Sequence, residues 1–168
     1  MGNLWKEIEL IDKVKKMKSS GVDLNKNNNP DKKTALHILT EKGNLLGARI
    51  MLDEGADMEK KDVNNCTPLA LAVIDGNVDM TKIFIDHGAD VNSVCNVKYS
   101  KEGLLRWNEE DETIFVKAVE LAVDNKENVK KRSAYLTIAR LLIENGLDTN
   151  NFQNKEIAKN YKSIEKYF

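Results

Sequence analysis

The sequence of 168 residues has few of the features that mark membrane, nucleic-acid-binding or secreted proteins. No apolar run approaches the roughly 18 residues that a membrane-spanning helix needs, so we expect no membrane partner. Its 26 Lys and Arg residues are balanced by 27 Asp and Glu. This balance argues against nucleic acid as a partner, because binding to phosphates needs an excess of basic side chains. The first residues contain no apolar signal-peptide core, so we expect a cytoplasmic protein or one delivered into a host cell without a signal.

Cysteine and aromatic residues are also scarce. Cys66 and Cys95 are the only cysteines, and they lie too far apart for a paired ligand motif. They predict a reducing compartment and a role as small apolar side chains. Eight of the ten aromatic residues follow residue 95. The second half of the chain is therefore where we expect the features that set this protein apart.

Residue types that carry catalysis or bind metals are few and scattered. The two histidines, His37 and His87, have no ligand partners at short spacing. The sequence contains no glycine-rich phosphate loop, Ser–His–Asp set or Cys–His cluster. It therefore predicts no enzyme, no cofactor, no bound metal and no catalytic residue. The competing hypothesis of an enzyme requires a deep pocket that contains His37 or several carboxylates.

The chain does contain an internal repeat of 33 residues. When residues 34–58 are placed on residues 67–91, nine of 25 positions are identical without a gap. A Gly-x-Asp motif recurs four times, at Gly21, Gly55, Gly88 and Gly146. These glycines are 34, 33 and 58 residues apart. A fixed period of this length indicates an array of stacked units.

One unit of the repeat has the pattern of two short helices. Thr67-Pro68 predicts a helix start, since the threonine oxygen caps free N–H groups and proline suits the first turn. Gly76-Asn77 separates the two apolar patterns. Gly88 ends the second helix, where a left-handed backbone conformation disfavours a Cβ atom. Neither helix can bury its apolar face alone, so neighbouring units must stack.

These features resemble the ankyrin-repeat family, whose period is 33 residues and whose signature is similar to T-P-L-H-x-A. Thr34-Ala35-Leu36-His37 and Thr67-Pro68-Leu69-Ala70 each keep three of its four leading residues. The resemblance covers residues 4–168 and implies an all-α fold, an ankyrin-like solenoid of stacked antiparallel helix pairs with β-hairpin-like fingers. It implies about four to five units including caps. It also implies protein binding without catalysis, and a His37 ring that hydrogen-bonds neighbouring backbone.

The repeat register predicts a single domain over residues 1–168. Its parts are an N-terminal cap repeat (4–29), two regular repeats (30–62 and 63–95), a third repeat with insertions (96–150) and a C-terminal capping helix (151–168). Helical spacing of apolar residues supports both caps. These residues are Leu4, Ile8, Ile11, Val14 and Met17 at the start, and Ile157, Tyr161 and Ile164 at the end.

The third repeat is longer than the others, and we place its insertions near residues 95–112 and 126–133. The alignment assigns 17 extra residues before the first helix and 8 between the helices. Asn108 followed by Glu109–Glu112 predicts a helix start, because acidic residues suit a first turn. The second insertion is predicted to be a basic turn, with Ser133 as a cap for a longer second helix.

The resemblance also implies where a partner would bind, because related arrays use their finger tips and the exposed face of each first helix. Mapped through the register, the candidates are Asp31, Lys33, Ile38, Lys42, Val63, Asn64, Cys66, Leu71, Ile74 and Asp75. The apolar members among them allow two explanations. They form an exposed binding patch, or neighbouring repeats and the insertion cover them.

Trp107, in the first insertion, is a further candidate with two roles open. It has the composition of a binding hot spot, and it could equally anchor the insertion on the third repeat. The predicted function is a non-enzymatic protein-interaction module, an inhibitor or adaptor that is monomeric when unbound. A specific version is an immunity-type inhibitor of a toxin or a host-directed effector of a bacterium or virus. A different class is a structural array that self-associates through its concave strip.

Overall fold

Eight helices and one β-hairpin make up the part of the chain that the computed structural model describes. It describes the backbone of residues 2–99, 105–125 and 127–160, and the side chains of 8–96, 112–125, 127–151 and 153–157. The helices are α1 (Gly2–Ser19), α2 (Ala35–Glu41), α3 (Leu45–Asp53), α4 (Pro68–Ile74), α5 (Val78–Asp86), α6 (Ile114–Asp124), α7 (Val129–Glu144) and α8 (Phe152–Asn160). The antiparallel strands β1 (Val94–Tyr99) and β2 (Leu105–Thr113) lie between α5 and α6.

Three helix pairs, α2–α3, α4–α5 and α6–α7, form the repeated unit. First helices pack on first helices, since α4 contacts both α2 and α6, and α5 likewise contacts both α3 and α7. The end helices complete the stack, because α1 packs on α3 and α8 packs on α6. This arrangement confirms the predicted helical solenoid, in which each unit contacts its sequence neighbours.

Every first helix begins at a threonine. The hydroxyl oxygens of Thr34, Thr67 and Thr113 each accept a hydrogen bond from the backbone N–H three residues later. The second helices begin at asparagines instead. Asn44, Asn77 and Asn128 cap α3, α5 and α7. Replacing such a cap by alanine costs about 1 kcal/mol, so the caps fix where each helix starts.

One apolar cluster runs through all three helix pairs. The second residue after each cap threonine is fully buried: Leu36, Leu69 and Phe115. Burying a side chain of this kind contributes roughly 1.5–3 kcal/mol. Because these residues pack between layers, stability depends on the stack rather than on one pair.

The hairpin accounts for the first insertion. Gly55 and Thr67 are 12 residues apart, whereas Gly88 and Thr113 are 25 residues apart. The prediction that Glu109–Glu112 begins a helix was wrong, because these residues lie in β2 and α6 starts only after Thr113. Pairing of Thr113 with Val94 keeps the preceding chain extended up to the cap.

Most of the third repeat's remaining extra length lies in its helices. Helix α6 has 11 residues where α4 has 7, and α7 has 16 where α5 has 9. The predicted basic turn with a Ser133 cap was wrong. Asn128 caps the helix by accepting from Lys131 N at 3.1 Å, so most of the second insertion is helical. The extra turns extend this pair beyond its neighbours.

The apolar face of α1 differs from the one predicted. Leu10 and Ile11 pack against the core and Val14 is buried, whereas Ile8 and Met17 are exposed. A cap helix has a neighbour on one side only, so it buries a narrower stripe than a central helix does. At the other end, Ile157 of α8 packs against the core. The predicted contacts of Leu4, Tyr161 and Ile164 lie outside the described side chains.

Cys66 and Cys95 form a disulfide, which corrects the prediction that they act as separate small apolar residues. Their Cα atoms are 4.5 Å apart, within the usual range for a bridged pair. Both are fully buried. The bridge links the second finger to the start of β1. The two cysteines are 29 residues apart in sequence, and stacking of neighbouring repeats brings them together.

Candidate partner-binding surface

The same position on each first helix has a different environment in each pair. Ile38, Leu71 and Lys117 all lie four residues after their cap threonine. Ile38 is 40% exposed, Leu71 is half-buried and Lys117 is 3% exposed. Accessibility at this position therefore falls from the first pair to the third.

On α6, the position equivalent to Ile38 and Leu71 is occupied by Lys117, which forms an ion pair at the base of the hairpin. The Lys117 ammonium group contacts the Glu112 carboxylate, and both side chains are largely buried. Glu112 is the last residue of β2 before the helix cap, so the hairpin delivers it to α6. A charge in such a place needs its partner, since removing one member of a buried pair costs about 3–5 kcal/mol. The ion pair thus connects the base of the hairpin to α6.

Backbone hydrogen bonds connect neighbouring finger tips. Val63 N donates to Asp31 O at 2.9 Å between the first two fingers, and Asn96 N of β1 donates to Asn64 O at 3.0 Å between the second finger and the hairpin. The Val63 side chain is nevertheless 49% exposed. Asp31 is also exposed. The tips therefore have a fixed backbone and accessible side chains.

Asp62 organises the second finger, a role that the sequence reasoning missed. Its Oδ1 atom accepts hydrogen bonds from Asn64 N at 2.8 Å and Cys66 N at 2.9 Å. Asn29, 33 residues earlier, holds the first finger through Lys33 N in the same way. An Asp or Asn that bonds backbone two to four residues on is a turn signal, and its recurrence at the repeat period could have identified both.

His37 is part of the scaffold. Its Nδ1 atom accepts from Thr34 N at 3.1 Å, so Nε2 carries the proton and donates to Cys66 O at 3.1 Å. The ring is fully buried. Burial lowers the pKa of His37 below its ordinary value, only partly opposed by the bond to Cys66 O and nearby carboxylates. The neutral ring links the first finger to the second, which agrees with the role implied by the family resemblance.

Charged side chains near Ile38 differ in how well they are compensated. The Lys33 ammonium group forms an ion pair with Glu41, and this hydrogen bond raises the pKa of Lys33. Asp75, the residue that follows α4, is exposed. Partial burial of its carboxyl group and, secondly, the charge of Glu41 raise the pKa of Asp75. Lys42, at the corresponding end of α2, is exposed.

Three predicted contact residues are corrected or lie outside the described side chains. Cys66 is fully buried in the disulfide, so a partner cannot touch it. Ile74 is only 4% exposed. The backbone of Trp107 pairs with Val97 across the hairpin. Its side chain is outside the described set, and both of its possible roles remain predictions.

Tyr135, on the extra turns of α7, covers the end of α4 and was not predicted. Its hydroxyl group donates to Ile74 O at 2.9 Å. Its ring lies over Gly76, where an added Cβ atom would meet the ring at 3.1 Å. Of the two explanations for the apolar candidates, coverage holds for Ile74, whose side chain is buried in the core cluster. The presence of a tyrosine in an unusually long second helix could have indicated this contact.

The accessible candidates share one region, which we call the open strip. It consists of Asp31, Ile38, Lys42, Val63, Leu71 and Asp75. Lys33 and Asn64 are partly buried at its edge. All of these side chains belong to the first two fingers or to α2, α4 and the residues that follow them. The strip combines apolar side chains with charges of both signs, as protein-binding surfaces do.

Within the described ranges, no three His, Cys, Asp or Glu side chains are placed to share a metal ion. No helix in those ranges combines the length and apolar character needed to cross a bilayer.

Comparison with known proteins gives the same family. A family model of ankyrin repeats, in three copies, matches residues 7–95. The chain is 32% identical over 89 residues to Delta-latroinsectotoxin-Lt1a of Latrodectus tredecimguttatus and 27% identical over 138 residues to putative ankyrin repeat protein FPV222 of Fowlpox virus. It is 44% identical over 54 residues to potassium channel AKT3 of Oryza sativa subsp. japonica.

These alignments cover unequal shares of the proteins. They include 52%, 74% and 32% of this chain, in the order given, but only 7%, 18% and 6% of the relatives. The chain therefore spans less than a fifth of the length of each relative. The similarity concerns the repeats, and it extends to a toxin, a viral protein and a channel alike.

Proposed function

The chain belongs to the ankyrin-repeat family, a non-enzymatic protein-interaction fold, and we propose that it acts as an inhibitor or adaptor whose open strip binds a protein partner. The observation that carries the proposal is the exposure of Ile38 and Val63 on a rigid array. Aliphatic side chains that are 40% and 49% exposed gain free energy when a partner covers them. Burying both would contribute a few kcal/mol at about 25 cal/mol per Å².

The proposed partner lies on the first two helix pairs. At the third pair, the position that corresponds to Ile38 and Leu71 holds the buried Lys117–Glu112 ion pair. A partner that contacted Lys117 would have to separate this pair, which is costly. Finger tips and first helices before the hairpin offer accessible side chains without that cost. The mode of action is occupation of the partner's surface, with the protein monomeric before it binds.

A pull-down from the native source, followed by affinity measurements on the recovered partner, tests the proposal. Ile38→Ser should weaken binding by about tenfold, which corresponds to the 1.4 kcal/mol expected from one lost apolar contact. Val129→Ser is the matched control, because Val129 is 76% exposed but lies on the extended third pair. Equal affinities of the two variants would contradict the proposed surface.

We also propose the cytoplasm as the site of action, and the cysteines provide its test. Disulfides persist in oxidising compartments and are rare in the cytosol. The Cys66–Cys95 bridge of the structure should therefore be reduced in the cytoplasm, and both residues should be recovered as thiols by mass spectrometry of protein alkylated before lysis. Recovery of a bridged peptide would contradict the cytoplasmic location. Light scattering over a range of concentrations tests the monomeric state, and growth of the particle mass would favour a self-associating array.

A further inference from the structure

We propose that the open strip selects a partner segment that carries a lysine or arginine next to an apolar residue, with Asp75 as the contact for the basic group. The inference rests on the proposed function and specifies the chemistry of the partner. It goes beyond the protein-binding role of the family, because it specifies the charge and polarity of the segment that the strip binds.

Asp75 is a carboxylate without a compensating cation. Among the described side chains, none forms an ion pair with it, whereas Glu41, on the neighbouring first helix, is paired with Lys33. Lys42, the residue at the equivalent position one repeat earlier, is exposed and forms no ion pair with Asp75. The second pair therefore presents uncompensated negative charge at the end of its first helix.

The surroundings of Asp75 disfavour that charge. Its carboxyl group is partly buried and lies within range of the charge of Glu41, and these two effects raise its pKa. A cationic group supplied by a partner would oppose both effects, because it replaces lost hydration and balances the neighbouring carboxylate. A neutral or acidic partner group at this place would leave both costs in full.

The apolar part of the segment is fixed by helix geometry. Leu71 and Asp75 are four residues apart at the end of α4, and Ile38 and Glu41 are three residues apart on α2. Residues at these spacings lie on one face, with Cβ atoms about 5–6 Å apart. An apolar side chain that covers Ile38 and Leu71 therefore brings its neighbours in the partner to within reach of Asp75.

Selection from a phage-displayed library of random peptides tests the inference with a defined probe. Peptides that bind the wild-type chain should be enriched in Lys or Arg within four residues of an apolar residue. Selected peptides should bind Asp75→Asn about tenfold more weakly or worse, as expected when a charge pair loses one partner. Asp86→Asn is the matched control, since Asp86 is equally exposed but ends α5, a second helix.

Two further measurements separate the possible outcomes. Asp75→Asn should be at least as stable to urea as the wild type, because a raised pKa marks a carboxylate that disfavours the folded state at neutral pH. Peptides that lose affinity for Ile38→Ser but not for Asp75→Asn would overturn the basic-partner inference and leave the proposed surface intact. A library without any peptide sensitive to Ile38→Ser would contradict both.

Discussion

The first two helix pairs and the third pair use the same repeat positions in opposite ways. Ile38 and Leu71 remain accessible, whereas Lys117 at the equivalent position is buried against Glu112. The second finger is a short turn held by Asp62, whereas the third is a two-stranded hairpin. A position in the repeat therefore does not by itself define a binding surface, because the segment inserted beside it decides whether it is exposed.

The largest effect on stability should come from breaking the Lys117–Glu112 ion pair of the third helix pair. Lys117→Ala removes the ammonium group that contacts the Glu112 carboxylate. We expect the free energy of unfolding to fall by about 3–5 kcal/mol in urea denaturation, as is typical when one member of a buried pair is removed. Lys42→Ala, on the open strip, should change it by less than about 0.5 kcal/mol. A small effect of Lys117→Ala would show that this ion pair does not stabilise the third pair.

Reducing the disulfide should have the next largest effect, because the bridge joins the second finger to the hairpin. It closes a loop between residues 29 apart, for which a stabilisation of about 2–4 kcal/mol is typical. We expect the urea midpoint of the oxidised protein to fall on addition of reductant. The urea midpoint of the double variant Cys66→Ala, Cys95→Ala should not change with reductant. A change in this variant would show that the effect does not come from the disulfide.

A smaller effect is expected where α7 covers the second pair. Tyr135→Phe removes the hydroxyl group that donates to Ile74 O and should cost about 1 kcal/mol of unfolding free energy. Thr137→Ala removes a hydroxyl group that donates to Ser133 O on the exposed side of the same helix and should cost less. Equal losses would mean that the bond to Ile74 O contributes no more to stability than the exposed bond of Thr137.

Protonation of His37 should not affect the free energy of unfolding at neutral pH, but it should lower this free energy increasingly as the pH falls. Its pKa in the folded protein is lowered by burial, so the unfolded chain takes up a proton first as the pH falls below about 6.5. The free energy of unfolding should therefore decrease from about pH 6.5 downwards, until the folded protein also binds the proton. An NMR titration of the His37 ring checks the direction, and a midpoint above 6.5 would contradict it.

The regular part of the fold was predictable because local signals and the repeat period agree. Helix starts are predicted by Thr67-Pro68, helix ends by Gly88, and stacking by the 33-residue spacing. The Thr34 cap follows from the same register, and the structural role of His37 follows from the family resemblance. Exposure at Ile38 and Val63 was also within reach, since no insertion precedes their repeats.

The third pair was not predictable to the same extent, because local and long-range effects conflict there. Glu109–Glu112 has the composition of a helix start, yet pairing with β1 holds it in a strand and Thr113 caps the helix instead. Cys66 is bridged to Cys95, 29 residues away in sequence, and the Ile74 carbonyl accepts a hydrogen bond from Tyr135, 61 residues away. No pattern within one repeat contains that information.

The proposed partner occupies the first two helix pairs and leaves the third pair free. Hydrogen–deuterium exchange of the chain, with and without the recovered partner, locates the surface that becomes protected. We expect slower exchange on binding in peptides that cover residues 29–42 and 62–76, with little change in residues 114–134. Protection confined to residues 114–134, with none in the first two fingers, would contradict it.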